Sequence, residues 1–178
     1  MSQTISPQLG FLTIFQESQG YQGGYLVTNS WGRPLEFRLS SAVQPNRVQQ
    51  ILYGTTLLEY LHADLIGKTL IEKTSTATHL LVTDCPAVLA IRDRLDLPVL
   101  LLLPRGDEPE WDGKPLTAHA SPTTNGTLYQ ESRHEADVAR IADLLAGVDA
   151  SLDLAEPFGR IREAVGEARK MGGANRAA

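Results

Sequence analysis

Leu35, Phe37 and Leu39 alternate with Glu36, Arg38 and Ser40, the period-two pattern of a strand with one buried face. Two strand-rich stretches precede it, Leu9 to Phe15 and Tyr25 to Thr28. Turn-forming residues separate the three: the glycines of Gln19-Gly20-Tyr21-Gln22-Gly23-Gly24, then Asn29-Ser30-Trp31-Gly32. Pro34 stands at the start of the third strand, where a missing donor is tolerated. The first forty residues therefore read as a three-strand antiparallel meander. After Pro45 the period changes. Val48, Ile51, Leu52, Thr55 and Leu58 share one helical face, and Asn46 with Gln49 makes a capping box. The pattern continues through Leu65, Ile66 and Leu70, with Gly54 and Gly67 marking a bend or a second short helix from Ala63-Asp64.

Thr78 to Thr83 reads as a strand, Asp84-Cys85-Pro86 opens a short helix to Leu95, and Pro98 to Leu103 is almost wholly apolar. Strand, helix and apolar strand make a βαβ unit whose second strand is buried on both faces. A polar loop from Pro104 to Pro115 leads to a hairpin, Leu116 to Ser121 and Thr127 to Gln130, around Asn125-Gly126. Ser132 and Glu135 form a second capping box before Val138, Ile141, Leu144 and Leu145, and Gly147 ends that helix. A last helix runs from Glu156 to Met171. Pro157 lies in its first turn, Phe158, Ile161, Val165 and Ala168 lie on one side, and Gly172-Gly173 stops it. The expected fold is α/β: a mixed sheet with a three-strand meander, a helix and a βαβ unit, closed by C-terminal helices. Its organisation is a tail at 1–8, a mixed α/β domain at 9–146, a helical extension at 147–172 and a frayed tail at 173–178.

The chain has 178 residues, 42% hydrophobic and 21% charged, enough for a core without a disulfide or metal staple. A single cysteine, Cys85, excludes an internal disulfide framework and a cysteine-rich zinc site. The net charge of -5 without a Lys/Arg cluster disfavours nucleic acid as a partner. The longest apolar run, Leu97 to Leu103, is far below the roughly 20 residues of a membrane helix. Met1 to Pro7 lacks the features of a secretory signal, so a cytoplasmic location is expected.

Gly67-Lys68-Thr69 resembles the end of a phosphate-binding loop, but His62 replaces the first glycine and the segment continues a helix, so no cradle of N–H groups forms. The four histidines, His62, His79, His119 and His134, share no chelating spacing. Cys85 sits between a strand end and a helix N-terminus, where the helix dipole should lower its pKa. Arg92 follows seven residues later, one too many for the phosphate loop of cysteine phosphatases. A packed, unreactive thiol is the competing reading.

Strand-strand-strand, helix, strand, helix, strand and C-terminal helix resembles the ribonuclease H-like fold over residues 9–146. Four stretches carry the likeness: Gly24 to Phe37, Asn46-Arg47-Val48-Gln49, Val82-Thr83-Asp84, and His134-Glu135-Ala136-Asp137-Val138-Ala139-Arg140. Active members hold two divalent metals on four carboxylates. The resemblance assigns Asp84 and Asp137 to two of those positions. Gln49 replaces the helix glutamate, and the first strand has no aspartate, with Glu17 at or beyond its end. Losing one or two of four anions weakens hard-cation binding.

The sequence thus points first to a non-catalytic binding or scaffolding domain, without cofactor, that works through a protein partner or as a homo-oligomer. The alternative is a weak or altered metal-dependent phosphodiesterase or nuclease using Asp84, Asp137 and Glu17, the only reading that calls for a divalent metal. A second alternative is a reactive thiol at Cys85. All would use the crevice at the C-terminal strand ends, lined by Asp84, Cys85, Arg105 and Gly106.

Overall fold

The computed structural model describes residues 6–109, 111–121 and 124–176. Among them, seven strands form one mixed sheet in the order β3-β2-β1-β4-β5-β7-β6. β1 (Leu9–Glu17), β2 (Gly20–Thr28) and β3 (Pro34–Leu39) are the antiparallel meander. β4 (Leu80–Thr83) lies parallel to β1, and β5 (Val99–Leu103) parallel to β4. β7 (Thr127–Glu131) fills the slot between β5 and β6 (Leu116–His119), antiparallel to both.

Alternation divides each central strand between two cores. Leu9 and Phe11, Leu80 and Val82, and Leu100 and Leu102 face one side, where they meet helices α4 (Asp137–Ala146) and α5 (Glu156–Arg176). Leu12, Leu81, Val99 and Leu101 face the other. That side is covered by a helical stretch of α2 (Leu57–Glu59), a π-helical segment Tyr60–Gly67 and α3 (Lys68–Lys73), and by a 3₁₀ helix, Pro86–Asp93, crossing from β4 to β5. Burial on both faces explains the unbroken apolar run of β5. The final helix, read from sequence as an extension, packs on this sheet: Phe158, Ile161 and Val165 are buried with Leu9, Phe11 and Leu26.

Several local expectations are corrected. The glycines of 20–24 do not form the first turn. They lie inside β2, and the turn is the two-residue Ser18-Gln19, since Glu17 pairs with Gly20. Their smallness serves packing instead. A Cβ on Gly23 would stand 2.4 Å from Cγ2 of Ile66, and one on Gly24 would stand 2.5 Å from Cγ2 of Ile161. Adjacent residues point to opposite faces, so helices on both sides approach the sheet at the same place.

Helix α1 (Arg47–Tyr53) forms with its capping box as expected, but none of its residues is buried. Its apolar face is turned away from the sheet. Gly54 caps it at φ 52°, whereas Gly67 lies where the π-helical segment passes into α3, and a Cβ there would stand 2.6 Å from Cδ1 of Ile91. The Ser132/Glu135 capping box does not form. The Ser132 hydroxyl is held by the Thr117 hydroxyl at 2.7 Å, a 3₁₀ turn occupies Ser132–His134, and α4 begins only at Asp137. Gly172-Gly173 does not stop α5, which runs on to Arg176; two glycines in a helix cost about 1 kcal/mol each without forbidding it. The Asn125-Gly126 hairpin pairs as expected. Residues 1–5 of the expected N-terminal tail and 177–178 of the expected C-terminal tail lie outside the described residues.

Candidate functional site

The C-terminal ends of β1 and β4 lie side by side because the two strands are parallel, with Leu12 opposite Thr83. β1 runs on to Glu17, while β4 stops and delivers Asp84 and Cys85. Helix α5 crosses this end of the sheet. Its apolar side is anchored by Phe158, Ile161 and Val165, which carries two arginines seven residues apart to the strand ends. Arg162 donates to Oδ2 of Asp84. Arg169 donates to Oε1 of Glu17 and, at 2.8 Å, to Oε1 of Gln22.

Cys85 is fixed beneath this surface. Its Sγ lies 3.4 Å from the backbone nitrogen of Ile14, and its own N–H donates to Thr83 Oγ1 at 3.1 Å. That hydroxyl in turn donates to the Leu12 carbonyl at 2.8 Å. Burial pushes the thiol up to about 12, and the Asp84 carboxylate adds to the rise. The expected lowering by a helix dipole is therefore overturned. The following helix is a 3₁₀ segment, and desolvation outweighs the pull of its N-terminus. A thiolate nucleophile at neutral pH is not what this environment favours.

Asp137 is at the other end of the sheet. β7 runs antiparallel to β5, with Leu103 opposite Thr127 and Leu101 opposite Tyr129, so the chain leaves β7 near the N-terminal ends of β4 and β5. The β6–β7 hairpin thus carries α4 away from Asp84. There Asp137, 5% exposed, takes both prongs of Arg92: Nε at 2.6 Å and Nη2 at 3.2 Å. Arg92 belongs to a charged segment that closes the 3₁₀ helix. Asp93 meets Arg133 and, at 3.1 Å, His134. Arg94 reaches Asp64 at 2.7 Å and Glu59 at 2.9 Å, and Asp96 meets Arg140 at 3.3 Å. One pentapeptide, Arg92 to Asp96, ties the helices of one face to α4 of the other.

Gln49, where the sequence resemblance would place a glutamate, is used in the α1 cap, accepting from the Asn46 N–H at 3.0 Å. Arg105 and Gly106 are exposed just beyond β5. A shallow crevice does exist at that strand end, lined by Pro86, Leu103, Gly106, Asp107 and Glu108. It includes Gly106 but not Arg105, Asp84 or Cys85. Among the described residues no group of three or more His, Cys, Asp or Glu side chains is placed to hold a metal ion. The donor set does not fit a divalent cation, since each candidate carboxylate already carries a guanidinium. Nor is any described helix long and apolar enough to cross a membrane.

Arg162, Arg169 and Arg92 were absent from the candidate set drawn from sequence. The first two had a readable signal in their seven-residue spacing beside the apolar side of the last helix. Arg92 had one in the alternating charges of Arg92-Asp93-Arg94-Leu95-Asp96.

His62 sits in the π-helical segment, edge-on to Tyr21 with ring centroids 5.7 Å apart. Both ring nitrogens are buried without a hydrogen-bond partner among the described residues. Burial lowers its pKa from 6.5 to about 4. Between those values the unfolded chain takes up a proton that the folded chain refuses, so stability falls as pH drops from 6.5 towards 4. Urea midpoints measured across that window should show a shallower slope in His62→Leu than in wild type; equal slopes would exclude His62 as the titrating group.

Compared with known proteins, the chain matches no protein family, and no curated protein matches it.

Proposed function

We propose that this chain is a non-catalytic domain of ribonuclease H-like order that works in the cytoplasm by binding a protein partner or a second copy of itself. One observation carries the reading: the three carboxylates that a metal-dependent phosphodiesterase would need, Asp84, Asp137 and Glu17, each have an arginine as partner. A hard-cation site works by leaving negative charge uncompensated until the ion arrives. Here a guanidinium supplies that compensation in advance, and its own charge would repel a cation brought alongside. The meander followed by parallel β4 and β5 supports the ribonuclease H-like part of the reading. The β6–β7 hairpin ahead of α4 departs from that order, and the departure separates Asp137 from Asp84.

The test is a thermal-shift titration with Mn²⁺ and Mg²⁺ on wild type and Asp84→Asn. A ligand that binds only the folded state raises the melting temperature by mass action. Neither protein is expected to respond at millimolar metal. A saturable rise in wild type that Asp84→Asn loses would overturn the proposal in favour of a metal-dependent enzyme.

A further inference from the structure

We propose that the exposed face of α1 pairs with the same face of a second copy of this chain, the two helices running antiparallel across a two-fold axis; the inference rests on the non-catalytic reading above and names its partner. α1 is equipped as a packed helix. Asn46 and Gln49 cap its start reciprocally, and the Gly54 N–H returns to the Gln50 carbonyl at its end. A helix of two turns gains little from propensity alone in water, and in proteins such helices are stabilised by the apolar face they bury. This one buries none within its own chain. Val48 and Ile51 are each 63% exposed and Leu52 78%, with Leu58 at 44% just beyond the bend. Val48, Ile51 and Leu52 share one face of α1 and alone make a patch on the order of a few hundred Å², the size at which an exposed apolar surface is often functional.

Charge selects a second copy as the occupant. The chain carries a net charge of -5, so two copies repel over most of their surfaces, yet residues 48–58 contain no charged side chain. This strip is where two copies approach without penalty. Arg47 supplies the complementarity. It stands in the first turn of α1, with no acidic residue in that turn and no ion-pair partner among the described residues, against the positive end of its own helix dipole. Antiparallel pairing moves it beside the C-terminal end of the other copy's α1, where no basic residue occupies the last turn and the last carbonyls form the negative pole. Both ends of the pair gain the same contact, as an isologous interface requires.

Sedimentation equilibrium of the full chain, from about 10 µM to about 1 mM, reads the pairing directly. Wild type should move from the single-chain mass of 19.4 kDa towards twice that value. Leu52→Glu should remain at the single-chain mass while keeping its melting temperature measured at low concentration, because the side chain is 78% exposed in its own fold. A second readout uses an introduced cysteine, since the one native cysteine, Cys85, is held against Ile14 of β1. Ile51→Cys, the apolar position nearest the two-fold axis, should crosslink to itself under mild oxidation, and Glu163→Cys, exposed on α5, should not. Wild type staying at the single-chain mass at the highest concentration would overturn the proposal, as would Leu52→Glu associating like wild type. Either result alongside a silent metal titration removes the pairing and leaves the non-catalytic reading standing. A saturable metal response removes the reading itself.

Discussion

Phe158→Ala is expected to lower the stability of the folded chain by about 3–5 kcal/mol, the usual cost of emptying a large buried aromatic site. Phe158 is 3% exposed and meets Phe11 edge-to-face, with centroids 5.7 Å apart and planes at 83°. Phe11 sits in β1 at the middle of the sheet, and Ile161 and Val165 continue the same buried line along α5. Removing the ring loosens the first turn that fixes α5 and opens a cavity against a central strand. Urea unfolding followed by far-ultraviolet circular dichroism measures the loss, and a cost under about 1 kcal/mol would mean that α5 is not held on the sheet in solution. The same variant has a second use. Arg162 and Arg169 ride on α5, so a metal response that appears only when the helix is loosened would identify those arginines as what excludes cations.

Asp137→Asn is expected to cost about 3 kcal/mol, near the lower end for breaking a buried ion pair. The lower end applies because the Arg92 side chain is 24% exposed and retains Asp96 at 3.5 Å as a weaker partner. The Asp137 side chain is 7% exposed, and burying it is tolerable only because Arg92 binds it through two nitrogens. The Asp137–Arg92 double-mutant cycle, with Asp137→Leu, Arg92→Met and the pair together, should give a coupling energy of about 1–3 kcal/mol. A catalytic carboxylate would behave the other way round, with stability nearly unchanged on substitution and a metal response or hydrolytic activity lost. The cycle and the Mn²⁺ titration together therefore separate a structural Asp137 from a reactive one.

What the sequence made readable was what short-range physics writes into it. The apolar run of β5 and the Asn46/Gln49 box each depend on neighbours within a few residues, and each formed. The alternation at Leu35, Phe37 and Leu39 gave the strand but not its buried face: β3 is an edge strand, and Leu35 and Phe37 stay 44% and 40% exposed. Failures arose where a distant partner decided the outcome. Gly23 and Gly24 have turn chemistry, yet helices more than forty residues away in the chain use their lack of side chain. Ser132 has the spacing of a cap, but a strand residue, Thr117, claims its hydroxyl. The local position of Cys85 predicts a lowered pKa, and burial against Ile14 reverses the sign. For the candidate site, the resemblance named Asp84 and Asp137 without the arginines that hold them. A short hairpin, read correctly as a hairpin, was enough to send the two carboxylates to opposite ends of the sheet.

The paired glycines of β2 have a mechanical consequence. At Gly23 and Gly24 the two hydrophobic layers are separated by little more than the thickness of a backbone. Close-packed interiors pass displacement on rather than absorb it. A shift of the π-helical segment that moved Ile66 would press on the same stretch of main chain that Ile161 touches from behind. The layers are thus coupled through one strand, and the helix on one face keeps its seat only while its counterpart on the other keeps its own.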